Sequence, residues 1–156
     1  MKGKSYASLF GEANAGEVDV IYGSSSGLSL AHPAQRWNQT NAFPKATGGG
    51  LAGSRFGSSL TAWNFGRDEK VVLPNGFTIP IRTADLAIGL PFQAVNRVSG
   101  AGAVDVMYGS FASNGPTGLS VKGIAVNNTF FNAPTTILGG LPLGAQAGAH
   151  FGAALY

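Results

Sequence analysis

The feature that most constrains this chain is a duplication. Residues 15–24 read AGEVDVIYGS and residues 101–110 read AGAVDVMYGS, identical at eight of ten positions, with Glu17 and Ile21 replaced by Ala103 and Met107. A Gly-Leu-Ser triplet follows each copy, at 27–29 and 118–120. A second pair comes in the same order, AGSRFGSSL at 52–60 and AGAHFGAAL at 147–155. The two pairs are offset by 86 and 95 residues. A unit repeated in tandem must bury its apolar surface against its neighbours, because a single small unit cannot do so alone.

Within each unit the pattern is that of short strands. Val18, Val20 and Tyr22 alternate with Glu17, Asp19 and Ile21 and stop at Gly23, and Val104, Val106 and Tyr108 do the same before Gly109. Further strands are predicted over 84–89, ended by Leu90 and Pro91, and over 56–62. Segments 39–43 and 128–131 are the expected fourth strands. The unit is then a four-stranded antiparallel meander with glycine-rich turns, and radial stacking of such sheets is a β-propeller. Tyr22, Phe56, Gly57, Gly89, Tyr108, Phe151 and Gly152 are the residues expected to carry the repeat architecture.

Composition agrees with an all-β class. Hydrophobic residues are 44% and charged residues 11%, too apolar and too sparsely charged for a disordered chain. The 24 glycines sit among short apolar runs without the every-third spacing of collagen, and no helical recurrence is sustained. The net charge of +3 comes from cations scattered from Lys2 to Lys122, which argues against nucleic acid as a partner. No apolar run has membrane-spanning length, and the first twenty residues lack the apolar stretch of a signal peptide. Without cysteine there are no disulfides or thiolate metal sites, and neither redox compartment is favoured.

Three ordered blocks resemble a known family. Phe56-Gly57-Ser58-Ser59-Leu60, then Ala84-Asp85-Leu86-Ala87-Ile88-Gly89-Leu90-Pro91, then Gly102-Ala103-Val104-Asp105-Val106 together look like one FG-GAP repeat of the integrin α-subunit N-terminal β-propeller. With both copies counted, the resemblance covers essentially the whole chain. It implies propeller blades that bind ligands or other chains, in an extracellular setting. It also implies a Ca²⁺ loop between the first two strands, with Asn64, Gly66 and Asp68 at the first ligand positions and Asp85 at the last. The pattern departs from the family here. Only Asp68 and Asp85 are carboxylates, Glu69 replaces a glycine, and an insertion near 66–82 separates them. Calcium needs several oxygens on one short loop. The alternative is a degenerate loop in which Asp85 accepts hydrogen bonds from turn amides.

On this register, 6–11 is expected as a second strand and 151–156 as a first strand. The chain then reads as a single propeller segment over 1–156. Strands 2–4 of a blade lie within 5–50, a complete blade within 51–146, and the first strand of a next blade within 147–156. Two blades per chain with unlike ends suggest a closed cyclic homo-oligomer, a trimer or a tetramer, in which the tail of one copy completes the first blade of the next. The competing possibility is a fragment of a longer propeller.

Other residues carry weaker signals. His32 and His150 lack spaced partners for zinc or a triad. Ser24-Ser25-Ser26-Gly27 is not a nucleophile elbow, and Gly48-Gly49-Gly50 lacks the Lys and Ser/Thr of a phosphate loop. Asp19 and Asp105 share a strand position on different units, so they read as rim or structural groups and not as a catalytic pair. Asn38 and Asn127 begin sequons that matter only after eukaryotic secretion. With no acid–base, metal or nucleophile constellation, the chain is expected to be a non-enzymatic scaffold or binding module. A multivalent carbohydrate-binding lectin is the alternative, resting on Trp63 in the loop after the first strand. Packing is the plainer role for both Trp37 and Trp63.

Overall fold

The computed structural model describes residues 1–8, 11–29, 33–42, 52–66, 68–95, 97–112, 115–119, 129–132 and 145–156. Its first unit contains β1 (Lys2–Lys4), β2 (Glu17–Val20), β3 (Gly23–Ser24), β4 (Gly27–Leu28), β5 (Gln35–Trp37) and a single helical turn, α1 (Gln39–Ala42). The second contains β6 (Leu60–Trp63), β7 (Glu69–Val72), β8 (Thr78–Ile81), β9 (Asp85–Leu90), β10 (Ala103–Met107), β11 (Gly109–Ala112), β12 (Gly115–Leu119) and β13 (Thr129–Asn132). The chain is all-β, in small antiparallel sheets. Among the described residues no helix is long and apolar enough to cross a membrane.

The second unit is a four-stranded meander. β6, β9, β10 and β13 lie side by side in chain order, without a crossover. Two hairpins leave it, β7–β8 between β6 and β9, and β11–β12 between β10 and β13. The first unit repeats the plan with β1, β2 and β5 as a three-stranded sheet and β3–β4 as its hairpin. The register is conserved between units. Gly3 opposes Val18 and Gly89 opposes Val104.

Several sequence expectations move along the chain. The second strand of the first unit is β1, not 6–11, because only Gly3 stands at the spacing from Val18 that Gly89 keeps from Val104. Tyr6 lies in a turn, with the Ala7 amide donating to the Lys4 carbonyl. The fourth strand is β5, and 39–42 turns into α1. Asn38 stops the strand by capping that turn, its Oδ1 accepting from the amides of Thr40 and Asn41, as an N-cap side chain does. The strand expected over 56–62 starts at Leu60. The preceding Phe56 and Gly57 form a tight turn in which the Ser58 amide donates to the Arg55 carbonyl. The insertion is the β7–β8 hairpin. The strand expected over 128–131 is found at Thr129–Asn132. The stretch 151–156 forms one parallel bridge, Phe151 to Gly102, and no strand. His32, Phe43, Gly48 to Gly50, Asn127 and Asn128 lie outside the described residues.

The core lies between the two sheets. Val18, Val20 and Trp37 of the first pack with Leu86, Ile88, Leu90, Ala103 and Met107 of the second, around the fully buried Phe56. Side chains alternate along a strand, so the reverse face of the second sheet carries Ala87, Val104, Val106 and Tyr108, where Leu155 packs. Burying Phe56 alone stabilises the fold by roughly 1.5–3 kcal/mol. The reverse face of the first sheet is charged instead. Lys4 Nζ lies 2.7 Å from both Glu17 and Asp19, and Arg36 Nε lies 2.8 Å from Asp19.

Candidate functional site

The chain builds one joint twice, once at the seam between the units and once between the second unit and the tail. At the first, the amides of Arg55 and Phe56 donate to the carbonyls of Asn14 and Ala15 at 3.0 Å. At the second, the amides of His150 and Phe151 donate to Gly100 and Ala101 at 3.0 and 2.9 Å. Gly16 and Gly102 hold left-handed φ values of 86° and 83°. A Cβ at Gly16 would overlap the Phe56 carbonyl oxygen, and one at Gly102 would meet both the amide and the carbonyl of Phe151. The joint therefore needs glycine for both torsion and space. Gly57 and Gly152 repeat the arrangement from the other side, against Val18 and Val104.

Flanking the joint is a stack of three rings and one guanidinium. The Arg55 guanidinium lies 4.7 Å from the centre of the Tyr6 ring and 4.1 Å from that of Phe92, and the Phe92 and His150 rings are 4.5 Å apart. Tyr6 and Phe92 are separated by the first offset, Arg55 and His150 by the second. The order along the stack is Tyr6, Arg55, Phe92, His150. His150, which has no zinc or triad partner in the sequence, is exposed and packs its ring against Phe92.

The joint differs between copies in one respect. Phe56 is fully buried, whereas Phe151 is 37% exposed. Within the second sheet, Gly89 O accepts from the amides of Gly57 and Ser58, and Gly89 N donates to Ser59 O. Gly89 is thus the in-sheet partner of the Phe-Gly turn, and Gly3 is its counterpart in the first unit.

At the opposite end of the seam, Tyr22 joins the two units. Its hydroxyl donates to Gln35 Oε1 and accepts from the Leu119 amide at 2.8 Å, while Gln35 Nε2 donates to Leu119 O at 3.1 Å. Burial pushes the Tyr22 phenol up. Beside this contact lies a cavity of about 310 Å³, lined by Tyr22, Arg82, Thr83, Ala84, Gly109 and Ser110 among others. Tyr108, the counterpart of Tyr22, packs instead on the reverse face of the second sheet.

Near the same end are the residues singled out for calcium. Asp85 is buried and accepts from the Phe65 amide at 2.7 Å and the Gly109 amide at 2.9 Å. Its carboxyl is raised, chiefly by burial; the two amide bonds pull it back down in part, and the nearby Asp68 charge adds a smaller push upward. Asn64 Nδ2 donates to Asp68 at 2.6 Å, and Asn64 Oδ1 accepts from the Gly66 amide at 2.9 Å. N–H donors therefore face the oxygens that would have to face a cation, and only two of the four expected ligand positions carry carboxylates. The arrangement does not fit Ca²⁺. It matches the degenerate loop, with Asp85 binding turn amides.

The two tryptophans separate. Trp37 is buried in the seam and Trp63 is 72% exposed at the end of β6. The two repeated aspartates separate as well. Asp19 takes hydrogen bonds from Lys4 and Arg36, which hold its carboxyl below the usual range. Asp105 faces the seam, fully buried, with neither oxygen hydrogen-bonded among the described residues, and burial pushes its carboxyl well up. It is a core group and not a rim group. Sequence reasoning passed over Arg82, Thr83, Tyr6 and Phe92. The offset that relates Tyr6 to Phe92 was the available signal for that pair.

Comparison with protein-family models, curated proteins and solved structures found no match.

Proposed function

We propose that this protein is a non-enzymatic scaffold or binding module of stacked sheet units in the FG-GAP manner, and that copies associate head to tail. The observation that carries this reading is the joint made twice with the same hydrogen bonds, in which the second copy leaves Phe151 partly uncovered. A second chain offers what is missing. Its Gly3 stands where Gly89 stands beside Gly57, and its Tyr6 stands where Phe92 stands beside Arg55. The tail would then add a strand to the neighbour's β1, and the neighbour's Tyr6 would cover His150. Heterologous contacts of this kind close into rings, with a trimer or tetramer the natural sizes for two units per chain. The neighbour's charged face accompanies this contact, and its ions are already paired among themselves.

Light scattering on the purified chain tests the reading. The expected mass is three or four times the 15.9 kDa of one chain, and Tyr6→Ala should shift the population toward single chains. A monomer at every concentration would refute it. The exposure of Trp63 favours a second reading, a sugar-binding lectin with one such ring per chain. Glycan-array binding that Trp63→Ala abolishes would select it.

A further inference from the structure

The cavity beside Tyr22 is bounded by both units, with Tyr22 from the first and Arg82, Thr83, Ala84, Gly109 and Ser110 from the second. Three features of its wall are chemically consistent. Among the described residues Arg82 is the only charged one on this wall; it is exposed and forms no ion pair or hydrogen bond with them. Thr83 likewise makes no hydrogen bond with them, while on the same wall the Tyr22 hydroxyl is held by Gln35 and Leu119 and the Ser110 hydroxyl donates to the Gly118 carbonyl. Among the described residues no Asp or Glu lines the cavity. Asp85, the next acid along the chain, is turned onto the Phe65 and Gly109 amides and does not neutralise Arg82 by an ion pair. An unpaired guanidinium takes an oxyanion through its two-pronged donor edge. The Thr83 hydroxyl beside it takes a ligand hydroxyl, the Ser110 oxygen keeps a lone pair to accept one, and the Tyr22 ring offers an apolar face. The volume lies at the lower end of the range for small-molecule sites, well above that of a bare inorganic ion.

We propose that this cavity binds an acidic monosaccharide, with its anionic group on Arg82 and its hydroxyls on Thr83 and its neighbours. The site depends on the two units packing as they do, and not on association between chains or on Trp63. Calorimetric titration of the full chain with glucuronate, glucose 6-phosphate and glucose at low salt tests it, alongside Arg82→Gln and Thr83→Val. At least one of the two acids should bind saturably, with roughly tenfold or greater loss in Arg82→Gln. Thr83→Val should weaken binding less. Glucuronate alone would assign a carboxylate, and glucose 6-phosphate alone a phosphate ester. Since Arg82 is exposed, Arg82→Gln should melt as the parent does, so a loss of binding reports on the site. No saturation by either acid, equal affinity for glucose, or an unchanged affinity in Arg82→Gln would overturn the proposal.

Discussion

Asp105→Val should make this protein more stable, and more so as the pH rises. Asp105 lies in β10 between Val104 and Val106, opposite Ile88 of β9, fully buried and with both carboxyl oxygens unpartnered among the described residues. Two costs follow. Leaving buried polar atoms without partners costs about 1–3 kcal/mol even when the group is neutral. The second cost comes from ionisation. In the unfolded chain the group releases its proton near the ordinary value of about 3.9, while burial makes the folded chain hold it to higher pH. Between those two values the unfolded state binds fewer protons, so stability falls by up to about 1.36 kcal/mol per pH unit and levels off above the folded value. Valine is close to aspartate in volume and suits a strand. The variant should gain at least about 2 kcal/mol at pH 7, roughly 4–8 °C in Tm for a chain of this length. Thermal melts from pH 4 to 8 at fixed protein concentration read both terms. Asp105→Asn separates them, since it flattens the profile while keeping orphaned polar atoms. Asp19 contributes in the opposite direction: Lys4 and Arg36 depress its folded value, so its contribution is lost as pH falls through that value. It is common to both proteins and cancels in the difference. Parallel pH profiles, or a variant that melts lower throughout, would refute the reasoning.

Other consequences are as direct. Phe56→Ala should cost about 3–5 kcal/mol in urea unfolding, and Phe151→Ala clearly less because that ring is partly exposed; equal losses would mean that the two joints are not differently covered. Iodide should quench Trp63 fluorescence in a Trp37→Phe background and leave Trp37 dark to quencher in Trp63→Phe, and the reverse order would contradict the placement of the two rings. Millimolar Ca²⁺ or a chelator should leave the melting temperature unmoved, whereas a rise with Ca²⁺ that Asp68→Asn removes would restore the loop as a cation site.

The duplication made the fold partly legible. Val18 to Tyr22 and Val104 to Tyr108 announced central strands, and their glycine-flanked ends announced meanders. The places that misled were those where local pattern and tertiary need part. Lys2-Gly3-Lys4 has nothing strand-like in its side chains and becomes β1 because β2 needs a partner there. Residues 39–42 look no less extended than their neighbours, and the Asn38 cap decides otherwise. Asp19 and Asp105 sit in nearly identical decapeptides and end up in opposite surroundings. Nothing within either segment records which sheet will face it. The cavity was hidden for a related reason, since Tyr22 and Arg82 meet only once two units are packed together.

The joint at Phe56 and its counterpart at Phe151 would, under the proposed head-to-tail association, tie the protein's folding to its company. One short vocabulary, a ring beside a glycine meeting a glycine turn, both closes the chain on itself and leaves a socket at its far end. A substitution within that vocabulary would then be read at two levels, by the chain as it folds and by the neighbour proposed to dock on it.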